Sequence, residues 1–519
     1  KIGITSTNTN TRAANGIFLE GNSHLNITGP VEIAKVHTKG SSAAGIAFQG
    51  SGSEAVIDGS LTISNVDGDK AEKQGRYIGV SGIRMTGDNT SMTVTGPVNI
   101  SGFKGSALHT AGADSVISVG GGTISTAADA DKSHNFYAAR VEKGTVNINM
   151  KNGAPGSART NIIGDMYVTG QYGKKVIEYS GGQLADWQHR GNLHVALTDK
   201  DSSWTGVAAY EQYNDNYGSG GNTMHDIGNF DLYLQNGATW TNEQQSHVTT
   251  TTLAGKNPVY NGSYLMKLHG GSDAVHKGYI YQKDSKPITV DNYSGHTLVF
   301  YDHTGDGSAA ENYSAGDFRI KTAEEGSSIT LRTGAGGINT ADKTAAGKAL
   351  NSLANKLYYM SYAQGDTKLK GTVEIAEGLT SSSVSASGDI AFRTDTAADK
   401  NGQGTYVYEP EEPLDGPIIK DRLLKGETTV TADDTHAEDG YVSAAYNGDD
   451  SITVDMANHG LRLEAASSAS AKAAAVRVGK GTDGNKKSIS FINMEKNKPL
   501  VISADQTNGE KLQVFMFPR

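Results

Sequence analysis

Two acidic clusters in the sequence have the residue types that could bind calcium. Residues 129–133 read Asp-Ala-Asp-Lys-Ser, and residues 302–307 read Asp-His-Thr-Gly-Asp-Gly. Calcium takes six to eight oxygen ligands from fixed positions of a loop. Neither cluster continues into a twelve-residue loop that ends in Glu. We therefore interpret both clusters as solvated turns, and we predict no metal site and no cofactor.

The sequence contains no recognisable catalytic motif. It has no cysteine, and neither the His-Glu-x-x-His nor the Gly-x-Ser-x-Gly motif occurs. Ser115 follows Asp114, as in serine proteases, but Val116 and Ile117 continue a strand pattern and indicate a core position. We expect the chain not to be an enzyme. A polysaccharide-degrading lyase or glycosidase is the alternative, because acids from separate repeats could meet in the fold.

The residues best suited to binding are aromatic. Tyr210, Tyr213 and Tyr217 lie in a polar loop without a strand pattern, and Trp204 and Trp240 flank it. Aromatic rings stack on sugars and make low-entropy contacts with proteins. The tryptophans could instead cap the core at equivalent positions of a repeat, which we favour, and the tyrosines suit either role. The predicted ligand-binding residues are Tyr210, Tyr213, Tyr217 and Trp204.

The composition indicates an all-β protein. The 519 residues include 65 glycines and 10 prolines, and the formal net charge is −10. Short Val, Ile and Leu strands alternate with small polar residues, a pattern typical of all-β proteins with many turns. No basic run is present to neutralise phosphates, so we expect no nucleic acid partner. The chain starts in what reads as the middle of a repeat, and we expect it to be part of a longer protein.

One short pattern recurs along the first part of the chain. Residues 16–36, 45–66 and 82–103 each contain a strand, a glycine turn, a second strand, a Gly-Pro or Gly-Ser corner and a third strand. One copy cannot bury its apolar side chains alone, but copies stacked about 4.8 Å apart form a continuous core. The pattern predicts a parallel β-helix, or β-solenoid, with two stacked sets of isoleucines: Ile17, Ile46 and Ile83, and Ile33, Ile63 and Ile100.

A sandwich of antiparallel hairpins is the alternative fold. Hairpins favour Asp-Gly turns such as the one at Asp58. Pro30 and Pro97 occupy the same place in other copies, and proline suits a corner better than a central strand. The proline positions therefore favour the solenoid.

One segment departs from the β pattern. Between residues 345 and 362, apolar residues recur at helical spacing, and Gly365 follows as a stop signal. The spacing predicts one short amphipathic helix that packs on the solenoid and contains Leu350, Leu353, Leu357 and Met360.

A single boundary is predicted near residue 409. Residues 409–417 contain three prolines and no apolar periodicity, which is typical of a linker or an extended crossover. We predict a solenoid over residues 1–408. Residues 418–519 resume the strand pattern, either as further repeats or as the start of a second solenoid.

Several stretches resemble a known family. Residues 201–206, Asp-Ser-Ser-Trp-Thr-Gly, and 236–241, Asn-Gly-Ala-Thr-Trp-Thr, both contain Trp-Thr shortly after a strand, and residues 350–378 combine a helical pattern with a strand. With the repeats and the cysteine-free acidic composition, these stretches resemble passenger domains of classical monomeric (type Va) autotransporters of Gram-negative or double-membraned anaerobic bacteria. The resemblance implies a right-handed β-helix that is displayed at the cell surface, attached to the outer membrane through a barrel that is not in this chain.

From this resemblance and the aromatic segment we expect a cell-surface adhesin. It would attach cells to each other or to a host, through a bacterial or host surface protein, a glycan or self-association along a rigid face. A passive surface spacer is a further alternative. Because stacking fixes the inward residues of the repeats, we expect function where the repeats are interrupted: at 67–76, 208–221, 302–316 and 345–362.

Overall fold

The computed structural model divides the chain into two compact units, Lys1–Tyr408 and Glu409–Arg519. The segment 409–417 lies outside the described residues. In the first unit the structure describes residues 2–8, 13–40, 42–69, 72–73, 76–77, 79–126, 136–168, 191–215, 222–226, 228–246, 259–376, 384–394 and 401–406. In the second unit it describes eight strands, given below.

The first unit is built from three ladders, that is, rows of strands in which each strand pairs with its equivalent in the next copy of the pattern. The first ladder contains Ile2–Asn8, Val31–Thr38, Leu61–Gly68, Val98–Phe103, Gly122–Thr126, Thr160–Ile163, Ser203–Thr205, Thr239–Asn242, Gly278–Gln282, His296–Tyr301, Ser327–Gly334, Leu369–Ala376, Val384–Phe392 and Gly404–Thr405. Its pairings are parallel except those of the last two strands.

The second and third ladders belong to one larger sheet. The second contains Ala14–Glu20, Ala43–Gln49, Val80–Met85, Ser106–Thr110, Tyr137–Val141, Asp165–Val168 and Ala208–Asp215. The third contains His24–Thr28, Glu54–Asp58, Ser91–Val94, Val116–Val119, Thr145–Ile148, Asn192–Leu197, Asn229–Leu234, Val259–His269, Ile288–Ser294, Phe318–Ala323 and Leu357–Tyr359. Two-stranded antiparallel pairs at Glu72–Lys73 with Arg76–Tyr77, and at Met150–Lys151 with Ala154–Pro155, complete the described strands of this unit, together with Asn222–Asp226, described below.

The predicted stacking of isoleucines is confirmed. Ile17 faces Ile46, and Ile46 faces Ile83, on adjacent parallel strands. In the same way Ile33, Ile63 and Ile100 face one another in sequence along the first ladder, and all three are fully buried. The all-β, parallel-strand architecture is thus as expected, and the alternative of antiparallel hairpins is wrong for these ladders.

Glycine lets two ladders approach each other inside the unit. Gly16, Gly45 and Gly82 occupy equivalent places in the second ladder, and a Cβ atom there would lie 2.5, 2.6 and 2.8 Å from Cγ2 of Ile33, Ile63 and Ile100. Such distances are too short for any real side chain, so the recurrent glycine of the pattern is required by packing rather than by a turn.

The predicted helix is shorter than expected. The α-helix Lys343–Ala354 begins after Asp342, whose carboxylate accepts hydrogen bonds from the N–H groups of Thr344 and Ala345. Leu357 and Met360 are not part of it, so the prediction of a helix to residue 362 is wrong. The chain instead forms the strand Leu357–Tyr359, which pairs with Phe318–Ala323 and completes the third ladder. Helical spacing was overridden by the open edge of a sheet.

Two short 3₁₀ helices, Ala310–Asn312 and Met360–Gln364, lie in the same region. Gly365 ends the second of them with a left-handed backbone (φ 85°). It does not end the α-helix, for which it was predicted as a stop signal, because that helix already ends at Ala354. No helix in the described residues has the length and apolarity needed to cross a membrane.

The second unit contains parallel strand pairs of its own. Thr429–Ala432 pairs with Leu461–Ser467, which pairs with Leu500–Gln506. Val442–Ser443 pairs with Ala474–Arg477, which pairs with Gln513–Met516. Ser451–Asp455 pairs with Ser488–Ile492. The described strands of this unit therefore form three sets, and within each set the strands are parallel and follow one another in sequence order.

Candidate binding surfaces

Trp204 lies in the core and not on a binding surface. Its indole ring is fully buried and stacks on that of Trp240, with ring centroids 4.8 Å apart and planes 2° apart. The Nε1–H group of Trp204 donates a hydrogen bond to the Gly164 carbonyl at 3.0 Å, which satisfies the ring in the apolar interior. The assignment of Trp204 to ligand binding is therefore wrong. The alternative, core positions that are equivalent in successive repeats, is confirmed by the register of the two tryptophans.

The tyrosine-rich segment is not the loop that its sequence suggested. Tyr210 and Tyr213 lie in the strand Ala208–Asp215, which pairs antiparallel with Asn222–Asp226. The side chains of Tyr210 and Tyr213, and all of Tyr217, lie outside the described residues. The sequence of this segment lacks the alternation of apolar and polar residues that marks a half-buried strand, which explains the error.

Two of the remaining chemical candidates make contacts within the fold. The Ser115 hydroxyl is buried and donates to the Gly87 carbonyl at 2.7 Å. Asp306 accepts a hydrogen bond from the Ser308 N–H within its own turn. Among the described residues, no three His, Asp or Glu side chains lie close enough together to hold a metal ion, and the cluster at 129–133 lies outside them.

A first outward-facing cluster, the polar patch, lies on adjacent strands of the third ladder. It consists of His194, Asp231, Tyr233, Lys267 and His269. His194 faces Asp231, and Asp231 faces Lys267 in the strand register. His194 Nδ1 lies 3.3 Å and Lys267 Nζ 4.0 Å from the same carboxylate oxygen, Oδ2 of Asp231. The rings of Tyr233 and His269 stack with centroids 4.3 Å apart.

The environment of the polar patch alters its titration. Burial lowers the pKa of His269, although the negative charge of Asp231 opposes this. Burial and the same negative charge raise the pKa of Tyr233. Asp231 Oδ1 is buried without a hydrogen-bond partner. The patch therefore combines a cation, a carboxylate with an unused acceptor, and a stacked aromatic pair on a rigid sheet.

A second outward-facing cluster, the cationic column, lies on three consecutive strands of the second ladder. It consists of Arg84, His109, Arg140 and Glu142. Arg84 faces His109, and His109 faces Arg140. Glu142 Oε1 lies 2.7 Å from Arg140 Nη2 and 3.3 Å from His109 Nε2. Burial lowers the pKa of His109. Burial also raises the pKa of Glu142, but the His109 hydrogen bond and the Arg140 charge outweigh it and bring that pKa to about 2.

A third outward group, the aromatic stack, lies on the first ladder. The rings of Tyr281 and Phe300 stack with centroids 4.7 Å apart, and the Arg332 guanidinium lies 5.8 Å from the centroid of Phe300. Arg332 in turn pairs with Glu374, its Nε donating to Oε2 at 2.7 Å. Phe300 is almost fully buried although it faces outward. We interpret the stack as cross-strand stabilisation of the sheet.

All three clusters join residues from separate copies of the pattern, and sequence reasoning missed them. Arg84, His109 and Arg140 each follow the inward residue of their strand, as in Gly82-Ile83-Arg84. Aligning the copies by these inward residues, Ile83, Leu108 and Ala139, and reading the next position could have found this column. The charged residues are unremarkable within any one copy.

Comparisons with known proteins identify no relative. No protein-family model, curated protein or solved structure matches this chain.

Proposed function

We propose that this chain is an adhesin displayed at a bacterial cell surface, and that its first unit is a right-handed parallel β-helix. Three ladders of mostly parallel strands, in which strands from successive copies of the pattern pair with one another, support the β-helix, because that arrangement allows a single core to continue along the stack. The chain is held at the outer membrane through a barrel of the autotransporter type, as the sequence resemblance implies. Its partner is a glycan or a protein of another surface, or a second copy of the chain.

The polar patch is the observation that carries the adhesive role. It presents hydrogen-bonding and charged groups together with an aromatic pair on adjacent strands, and Lys267 is exposed while Tyr233 and His269 are half-buried. A rigid sheet holds these groups in place without a loss of backbone entropy on binding. Many copies on one cell would bind with an avidity that exceeds the affinity of a single patch.

The test displays the full chain on a non-adherent bacterial host. We expect the cells to aggregate, or to bind epithelial cells or a glycan array. A double variant of the polar patch, Asp231→Asn with Lys267→Gln, should lose most of this adhesion. The matched control is Lys370→Gln with Asp389→Asn, which removes the same two charges from an exposed pair 3.8 Å apart on the first ladder.

Two results would contradict the proposal. One is that displayed cells neither aggregate nor adhere while the purified chain shortens a polysaccharide, which would favour the enzyme. The other is that the patch variant and the control variant adhere equally well, which would remove the patch as the binding surface. Circular dichroism of both purified variants checks that the fold is retained.

A further inference from the structure

Arg84 is a half-buried cation whose described partners are all neutral. Its Nη1 group donates to the Ser42 hydroxyl at 2.6 Å and to the Gly79 carbonyl at 2.8 Å. Among the described residues no carboxylate lies within ion-pair distance of this guanidinium. Burying a charge is costly unless it is paired with an opposite charge, so the position of Arg84 calls for a negative group.

The rest of the cationic column does not supply that group. Glu142 is its one carboxylate, and it is already engaged by Arg140 and His109. Since His109 is neutral at pH 7, as its lowered pKa requires, the column carries two positive charges and one negative charge. The sum over these four side chains is therefore positive, whereas the formal net charge of the chain is −10.

The spacing of the column suits an extended ligand. Arg84 and Arg140 are two strands apart, which is roughly 10 Å at the usual spacing between strands. Both project from the outward side of the ladder and keep part of their surface exposed. Tyr167 follows Arg140 in the register, but it is buried against Tyr137 and closes the row on this side.

We propose that the cationic column binds the anionic groups of an acidic polysaccharide, carboxylates or sulfates, with Arg84 as the principal contact. A guanidinium presents its donors as a planar fork that matches both groups. A nucleic acid fits less well, because its dense phosphates require many cations at once and would be repelled by the acidic remainder of the chain. The inference goes beyond adhesion and does not depend on it, because purified protein suffices to test it.

The experiment measures retardation of the full chain in native gels that contain one of three polymers at low salt. The polymers are polygalacturonate, which carries carboxylates, dextran sulfate, and uncharged dextran. We expect retardation by at least one anionic polymer and none by dextran. Comparison of the two anionic gels identifies which anion is preferred.

Variants locate the binding site. Arg84→Gln should weaken binding about tenfold, as expected for loss of a hydrogen-bonded charge, and Arg84→Lys should recover part of it because the charge returns without the fork. Lys370→Gln removes an equal charge from the exposed side of the first ladder and should bind like the original chain. Circular dichroism checks folding, and Arg140→Gln replaces Arg84→Gln if the latter does not fold.

Several outcomes would overturn the inference. The first is that neither anionic polymer retards the chain. The second is that Arg84→Gln binds as strongly as the original chain. The third is that Lys370→Gln loses as much binding as Arg84→Gln, which would indicate a general effect of charge. Stronger retention by duplex DNA than by either polysaccharide would overturn the assignment of the ligand class.

Discussion

Asp165 joins distant parts of the first unit through one buried carboxylate. Its Oδ1 accepts hydrogen bonds from the N–H groups of Val207 and Gln245 at 3.0 Å each. Its Oδ2 accepts from the N–H and the hydroxyl of Ser246, both at 2.8 Å. Asp165→Asn keeps the shape of the side chain but turns one acceptor into a donor. One buried N–H group must then lose its partner in either orientation of the amide.

The size of the effect depends on pH. Burial raises the pKa of Asp165 to about 6 from an ordinary value of 3.8, although the N–H donors oppose it. A carboxyl group whose pKa is higher in the folded than in the unfolded chain stabilises the folded state at pH values below its unfolded pKa. This stabilisation is lost as the pH rises through its folded pKa of about 6. Two pKa units correspond to about 3 kcal/mol. The original chain should therefore lose about 3 kcal/mol of local stability between pH 4 and pH 7, and Asp165→Asn should not.

At pH 4 both side chains are neutral, and only the carboxylic acid can accept hydrogen bonds on both sides. The unpaired N–H group should make Asp165→Asn less stable there by about 1–3 kcal/mol. At pH 7 only the original chain has to bury a charged carboxylate. The local stabilities of the original chain and of Asp165→Asn should therefore be nearly equal at this pH.

Amide hydrogen exchange measures these differences where they arise. Exchange of Val207, Gln245 and Ser246, corrected for the intrinsic effect of pH, gives the free energy of local opening. Asp199→Asn is the matched control, because its carboxylate accepts an N–H group at an exposed turn. If the stability gap between Asp165→Asn and the original chain widened as the pH rose, the N–H donors would outweigh burial and the reasoning would be refuted.

Three further predictions concern packing and ion pairing. Gly45→Ala places a methyl group 2.6 Å from Cγ2 of Ile63 and should lower the free energy of unfolding by about 1–3 kcal/mol, with a lower melting temperature. In the control Gly3→Ala the added methyl group meets no atom within 4 Å, so the melting temperature should not change. Trp240→Ala should cost about 3–5 kcal/mol in urea unfolding, because it leaves a cavity in the core; a loss below 1 kcal/mol would contradict its core position. Arg332→Met should lower the free energy of unfolding more than the double variant Arg332→Met with Glu374→Leu does, since the single change leaves a largely buried carboxylate unpaired. A double-mutant cycle in which the effects of the two single changes simply add would contradict this prediction.

The inward residues of the first unit could be predicted from the sequence because stacking imposes one requirement at each position. Ile33, Ile63 and Ile100 recur in the same place of each copy, and the structure aligns them strand by strand. The role of Gly16, Gly45 and Gly82 was not predicted, since only the glycines of the turns were interpreted from the sequence. Each of these three positions has the same requirement. The absent side chains make room for these isoleucines, a contact between two ladders that no single copy reveals.

The departures from prediction share a physical cause, which is pairing between strands that are distant in sequence. Leu357 and Met360 have helical spacing, but the unpaired edge of Phe318–Ala323 takes Leu357 into a strand. The polar segment at Ala208–Asp215 likewise pairs with its neighbours as a strand. The edge strand of a sheet has unpaired N–H and C=O groups that can pair with the following segment of the chain. The local periodicity of that segment does not reveal whether such an edge is present.

The same reasoning changes where function is expected on this fold. The sequence alone predicts binding sites at the interruptions of the repeat, because the inward positions of a ladder are fixed by packing. Half the positions of each strand face outward, however, and core packing does not restrict which residue types occupy them. Register then places one outward residue of each copy beside that of the next, at a spacing of about 4.8 Å. Arg84, His109 and Arg140 become one surface in this way, and so do His194 and Asp231. A ladder can thus build a binding site from residues that no local motif connects, and a single substitution in one copy changes the row without disturbing the core beneath it.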